Sequence, residues 1–272
     1  MNNNIEPAGS NRHDLSQIPV VILCGGRGTR LREQTEFIPK PLVEIGGKPI
    51  LWHIMKVYQS FGFKRFILCL GYKGDMIKKY FLDYEYLNND FTMKLGPSGK
   101  SVSVYNNDDE DIEITFADTG LETHTGGRIK AIEKYIDTDL FMVTYGDGVG
   151  DVDLQKLLEF HRSKGKIATL TGVKTPSKYG TIVADRNDTI FSFAEKPVTH
   201  DRINAGFFVF NRQVFDFLDD TPMESTALVE LSKQRQLVVF NHDGYWQCMD
   251  THKDYLDLNS TWQQSAPWKM WK

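Results

Sequence analysis

The chain has 272 residues with a net charge of −4, 40% hydrophobic and 25% charged, the balance of a globular protein of one large α/β domain or two small ones. So acidic a chain carries no broad basic face, which argues against a nucleic-acid sheath but leaves room for a local basic pocket that takes a small anion. No apolar run reaches the roughly 20 residues of a membrane span, and the start, MNNNIEPAGSNRHDLSQIP, lacks the basic-then-apolar pattern of a signal peptide.

In chain order, residues 1–18 read as a disordered extension. PVVILC (19–24) is a short apolar run that stops at glycines, as a buried parallel strand does. KPILWHIMKVYQSFG (48–62) places Leu51, Ile54, Met55, Tyr58 and Phe61 at helical spacing, with Gly62 as the stop. RFILCLGY (65–72) is the next strand and GDMIKKYFLDY (74–84) the next helix. A polar, Gly- and Asp-rich stretch follows (88–111), and its acidic tract NNDDEDIE (106–113) reads as a solvated loop. IEITFADT (112–119), GGRIKAIEKYI (126–136), LFMVTYGDG (140–148) and the amphipathic VDLQKLLEFHRSKG (152–165) continue the alternation. The order predicts an α/β fold with a doubly wound, mainly parallel, Rossmann-like sheet. From 166 the rhythm changes to strand-like runs with little helix between them: KIATLTGVK, YGTIVAD, TIFSFAEKP, INAGFFVF, QLVVFNHDG and YWQCMDT. Residues 166–272 therefore read as a smaller mixed or antiparallel subdomain laid against 19–165.

Chemistry concentrates at VILCGGRGTRLREQTEFIPKPLVEIGGKPI (21–50). A glycine-rich turn between strand and helix exposes backbone N–H groups where phosphate oxygens dock. Gly25, Gly26 and Gly28 are followed by no GK[ST], so this is not a P-loop; Leu31 stands where a dinucleotide fingerprint needs its third glycine. Lys40 sits between Pro39 and Pro41, a flexible cation on a stiff extended backbone, able to meet charge building on a phosphoryl group. Asp147 ends one apolar strand and Asp250 another, and two strand-end carboxylates with phosphates between them suit a hard cation such as Mg²⁺. Asp250 could instead cap a helix beginning near Thr251. TGGR (125–128) puts a second glycine pair at a helix start, with Arg128 one step inside as an anion contact.

The combination GGRGTRL, PKPLVEIGGKPILWHIM, GYKG, TGGR, TYGDG, EKP, NAGFFVF, WQCMDT and APWKMW resembles the sugar-1-phosphate nucleotidylyltransferases, from about Pro19 to the C-terminus. TGGR, TYGDG and APWKMW are most similar to the family's cytidylyl branch. The resemblance implies transfer of a cytidylyl group from CTP to glucose 1-phosphate, releasing pyrophosphate, with Mg²⁺ as cofactor. It divides the chain into a nucleotide-binding part (19–165) and a sugar-phosphate-binding part (166–272). Leu23, Cys24, Gly25, Gly26, Arg27, Gly28, Thr29 and Arg30 would hold base, ribose and triphosphate, with Lys40 on the α-phosphate. Thr123 and Gly126 would lie at the base, Arg128 at the triphosphate tail, and Gly146 would admit the nucleotide. Tyr145, Glu195, Lys196 and Asn204 would form the sugar-phosphate pocket, and Asp147 and Asp250 would bind the metal. Lys40, Arg30, Asp147 and Asp250 are the catalytic candidates.

Two other readings compete: a uridylyl- or other nucleotidyltransferase using another sugar 1-phosphate, and a catalytically silent nucleotide-binding subunit. Retention of Lys40, Asp147, Lys196 and Asp250 favours an active enzyme. The resemblance also implies a homo-oligomer in the cytoplasm, supplying an activated sugar for a surface polysaccharide. Cys24, Cys69 and Cys248 lack any metal or CxxC spacing and read as buried thiols in a reducing compartment. His53 reads as a packed helix residue, and the apolar tail APWKMWK as a segment needing burial, expected against a neighbouring subunit.

Overall fold

The computed structural model describes residues 14–31, 35–97, 99–105, 111–177, 179–198 and 201–271. Most of the expected extension (1–13) and most of the acidic tract (106–110) lie outside the described residues. The inner end of the extension is structured, against expectation. Asp14 caps a 3-10 turn, Leu15–Gln17, by accepting from the Ser16 N–H, and Ile18 is buried.

In chain order the strands are β1 (Pro19–Leu23), β2 (Glu44–Ile45), β3 (Lys48–Pro49), β4 (Arg65–Leu70), β5 (Phe91–Gly96), β6 (Gly99–Val104), β7 (Glu113–Asp118) and β8 (Leu140–Tyr145). There follow β9 (Gly148–Gly150), β10 (Ala168–Val173), β11 (Thr181–Ala184), β12 (Ile190–Ala194), β13 (Ile203–Asn204), β14 (Phe208–Asn211), β15 (Leu237–His242) and β16 (Trp246–Cys248). The parallel centre is β7-β4-β1-β8. β1, β4 and β8 are largely apolar on both faces because both faces are covered, whereas β7 is the half-buried edge. Alternate residues part to opposite sides: Val20, Ile22, Phe66 and Leu68 enter one core with the helices Ile50–Ser60 and Leu154–Lys164. Val21, Ile67 and Cys69 enter the other with the helices Thr125–Ala131 and Ala227–Lys233.

The α/β class and the mainly parallel centre are as the alternation predicts. The strands after 166 divide: β10, β13, β14 and β15 continue the same eight-stranded sheet, whereas β11 and β12 form an antiparallel pair of their own and β16 pairs with β9. β14 adds antiparallel to β8, β10 adds antiparallel to β14, and β15 lies parallel to β10. Phe208 and Phe210 of β14 thereby pack in the same layer as Phe141 and Val143 of β8, and antiparallel neighbours need no crossover helix to do so. INAGFFVF breaks into β13 and β14 at Gly206 and Phe207, both with positive φ. Residues 88–111 contain an antiparallel hairpin, β5–β6, to which no element had been assigned. Its apolar alternation, Phe91, Met93 and Leu95, is exposed rather than buried.

The tail also differs from expectation. Trp268 is completely buried within its own chain, stacked near Tyr245 and Trp262. It donates through Nε1 to His53 Nδ1 at 3.4 Å, while His53 Nε2 lies 2.7 Å from the Ile45 carbonyl. That pairing makes His53 a neutral imidazole donating through Nε2, and burial depresses its pKa to about 4. No helix among the described residues is long and apolar enough to cross a membrane.

Candidate active site

The site lies at the carboxyl ends of β1 and β8, where open α/β sheets place their ligands. After Leu23 the chain runs through the glycine loop. Gly28 adopts φ +62°, and a Cβ there would lie 2.9 Å from Thr35 Cγ2 and 3.2 Å from Lys40 Cβ, so glycine lets the lysine segment close on the loop. Pro39 is extended (φ −68°, ψ 146°) and precedes the 3-10 turn Lys40–Leu42, of which Pro41 is the second residue. Both flanking rings fix φ, giving Lys40 the rigid mount read from its PKP context.

Lys40 Nζ donates to Asp147 Oδ2 at 2.6 Å and to Asp250 Oδ1 at 2.7 Å. Arg30 reaches the other oxygen of Asp250 at 3.3 Å. Four candidates separated by more than two hundred positions thus form one cluster. Burial by itself would depress the Lys40 ammonium, but the two carboxylates outweigh it and hold the group above its ordinary value. The helix-cap alternative for Asp250 does not hold. Thr251 caps the helix His252–Gln264 by accepting from the Asp254 N–H, and Asp254 closes the capping box.

Two cavities meet at this cluster. One, of about 340 Å³, is bounded by the glycine loop, Lys40, Thr123 to Thr125 and Glu224. The other, of about 900 Å³, is bounded by Asp250, Lys196, Asn204 and Trp246. Tyr145 and Asp147 line both. The Tyr145 hydroxyl donates to Glu224 Oε1 at 2.7 Å and accepts from Asn204 Nδ2 at 3.1 Å. Burial first, and then the Glu224 carboxylate, push the phenol well above its usual range, so it stays a neutral donor. Lys196 holds a left-handed backbone (φ 47°) and borders the larger cavity.

Several sequence-predicted residues sit differently. Arg128, expected to face a triphosphate, borders the smaller cavity, but it is buried and its guanidinium bonds to the chain itself. Nη1 donates to the carbonyls of Leu70 and Gly120 and to Thr119 Oγ1, and Nη2 to the carbonyls of Gly25 and Leu121. A Cβ on Gly25 would stand 2.0 Å from Arg128 Nη1, so that glycine makes room for the arginine. Gly126 donates its N–H to the Thr221 carbonyl, and its Cβ would meet that oxygen at 2.5 Å. The start of this helix is therefore covered by residues 219–224 rather than open to an anion. Gly146 lines the smaller cavity, and its N–H donates to the Leu23 carbonyl at 3.1 Å. Arg27 is exposed and paired with Glu122, Thr29 and Gly26 are exposed on the loop, and Thr123 lines the smaller cavity while Cys24 is buried at its edge. Glu195 is exposed beside Lys196 and does not line the cavity that Lys196 borders.

Glu224 and Thr125 escaped the sequence reading. Thr125 Oγ1 donates to Glu224 Oε2 at 2.7 Å and accepts from the Met223 N–H. Glu224 meets Tyr145 across 79 positions, and nothing in the local pattern DDTPMEST marks it.

A glycine cradle, a clamped lysine and two carboxylates, one after β8 of the mainly parallel sheet and one after β16 beside it, describe a phosphoryl-handling nucleotide site. The chain matches the nucleotidyl transferase family over residues 19–265, and it belongs to that family. It is 46% identical over 255 residues to the "Probable glucose-1-phosphate cytidylyltransferase" of Bacillus subtilis (strain 168), covering 92% of this chain and 99% of that one. It is 45% identical over 257 residues to the glucose-1-phosphate cytidylyltransferase of Salmonella typhimurium (strain LT2), covering 93% and 99%. Among solved structures, HddC from Yersinia pseudotuberculosis in complex with GMP-PN superposes with a TM-score of 0.64 at 26% identity, covering 90% and 99%.

Proposed function

We propose that this enzyme joins CTP and glucose 1-phosphate into CDP-glucose with release of pyrophosphate. The observation that carries the reading is the Lys40 ammonium held by Asp147 and Asp250 where the two cavities meet. CTP occupies the smaller cavity with its α-phosphate at Lys40, and the sugar phosphate occupies the larger one. A sugar-phosphate oxygen, already anionic, attacks the α-phosphorus; that P–O bond forms as the bond to the β-phosphate oxygen breaks, and pyrophosphate leaves with the electron pair. No general base is needed, so the residues act by alignment and charge. Lys40 and Arg30 neutralise charge on the transferring group, while Tyr145 and Asn204 orient the sugar phosphate.

Asp147 and Asp250 fit Mg²⁺: they already converge on one cation, the Lys40 ammonium, and two carboxylates leave positions for water and phosphate oxygens. When bound, Mg²⁺ supplies Lewis-acid polarisation of the phosphoryl oxygens. The reading also includes a cytoplasmic location, in keeping with the free thiols of Cys24, Cys69 and Cys248. It includes a homo-oligomer as well, for which the exposed apolar faces of β5–β6 and β11–β12 offer surface, Leu95 and Phe191 among them. Supply of an activated sugar for a surface polysaccharide is the role it suggests. The test is pyrophosphate release with each of four NTPs, Mg²⁺ and glucose 1-phosphate. CTP should be preferred, and a preference for another nucleotide, or no turnover, refutes the reading.

A further inference from the structure

A carboxylate in a cavity built for a polyanion is unfavourable unless the ligand brings it hydrogen-bond donors, because like charges repel. Glu224 is such a carboxylate. Its oxygens are held from both sides, Oε1 by the Tyr145 hydroxyl at 2.7 Å and Oε2 by the Thr125 hydroxyl at 2.7 Å. Each oxygen keeps a second lone pair for the cavity, and the group presents acceptors alone. Glu224 borders only the smaller cavity, on a wall with Thr123 to Thr125 and Pro222, whereas Lys40 and Asp147 mark the phosphate position.

Much of the neighbouring backbone is already paired. The Leu23 carbonyl accepts from Gly146, the Gly25 carbonyl from Tyr72 and Arg128, and the Gly126 N–H donates to Thr221. On the wall formed by Thr123 to Thr125, Pro222 and Glu224, Glu224 is the group that presents acceptors alone. Cytosine offers an exocyclic amine at the edge where uracil offers a carbonyl oxygen. An acceptor-only group separates those two edges, but it gives little discrimination among hydroxyls, which donate or accept as needed. We infer that Glu224, aimed by Thr125 and Tyr145, is the base-selecting residue: it accepts from the cytosine amine and repels the uracil O4. The inference rests on the cytidylyl reading above and adds the residue that enforces it.

The experiment measures kcat/KM for CTP, UTP and 2′-deoxy-CTP, by pyrophosphate release with glucose 1-phosphate, in the wild type and Glu224→Gln. The amide keeps an oxygen for Tyr145 and turns a donor towards the base. The CTP-to-UTP ratio should fall roughly 10- to 100-fold, the range for a hydrogen bond to a charged group, with the CTP-to-2′-deoxy-CTP ratio unchanged. Thr125→Val leaves the carboxylate in place but removes the hydroxyl that aims it; it should lower the same ratio by a smaller factor, and it serves if Glu224→Gln does not fold. An unchanged CTP-to-UTP ratio in the folded variants overturns the proposal, whatever happens to overall rate. So does a collapse of the 2′-deoxy ratio instead, which would put the carboxylate at the ribose. A wild type without preference for CTP removes the cytidylyl reading itself, and that result is read before any variant is made.

Discussion

Replacing Lys40 by methionine keeps most of the side-chain volume and removes one charge held by two carboxylates. The lysine side chain is only 12% exposed, and its bonds to Asp147 and Asp250 are 2.6 and 2.7 Å, so both are short charge-assisted contacts. Two consequences follow from opposite sides of the reaction. In the transition state the ammonium meets charge on the α-phosphoryl group; losing one such preorganised stabiliser costs about 10²- to 10³-fold in kcat. In the resting protein the variant leaves two carboxylates facing each other. Breaking a fully buried pair costs about 3–5 kcal/mol, and the partial exposure of both aspartates reduces that to about 1–3 kcal/mol. A divalent cation should restore the loss, since the ammonium that competed for the same oxygens is gone. Thermal melting of Lys40→Met should therefore be lowered in chelator and raised by Mg²⁺ more steeply than in the wild type, while calorimetry shows CTP still bound. Unchanged kcat with a raised KM would refute the assigned role, and identical Mg²⁺ titrations of the two proteins would refute the shared-cation argument.

Asp147→Asn and Asp250→Asn should each raise the Mg²⁺ concentration for half-maximal activity, and the double variant should be little worse than the poorer single, because both act through one ion; additive effects count against a shared site. Arg128→Leu removes five hydrogen bonds, although the Gly25 and Leu70 carbonyls keep other donors, and should cost about 3 kcal/mol in chemical denaturation, with KM for CTP raised more than kcat is lowered. If Arg128 instead met the triphosphate directly, affinity would fall without the stability loss. His53 stays neutral in the folded chain down to about pH 4, whereas the unfolded chain takes up that proton near pH 6.5. Its contribution is complete above pH 6.5 and is lost as pH falls towards 4, about 3 kcal/mol in all. His53→Gln should flatten that part of the wild-type curve of stability against pH, and an unaltered slope between pH 6.5 and 5 would contradict the assignment.

How much of this was legible depended on the range of the interaction. The alternation of Val20, Val21 and Ile22 between two cores was legible because a strand's side chains alternate whatever surrounds it. The helix Leu154–Lys164 was legible to within two residues because Asp153 caps it and Gly165 ends it in a left-handed turn. The hairpin β5–β6 escaped because its alternating apolar face is buried against nothing, so its composition is that of a loop. β10, β14 and β15 were found individually but were read as part of a separate layer rather than of the main sheet, since a strand's own pattern does not say which neighbour it pairs with.

By itself the sequence determined the local devices: the apolar periods, the glycine turn after β1, and the Pro39–Lys40–Pro41 mount, whose stiffness resides in its own rings. Only the tertiary structure decided what these devices meet. Lys40 finds Asp147 and Asp250 across 107 and 210 positions. Arg128, read as a surface anion contact, turns inward because a ring of four carbonyls from three segments offers it more acceptors than an open face does. Glu224 becomes part of the cavity only because Gly126 and Gly127 let its segment press against the helix Thr125–Ala131. Such outcomes depend on which surfaces are buried together, and burial is a property of the whole packed chain that no local spacing encodes.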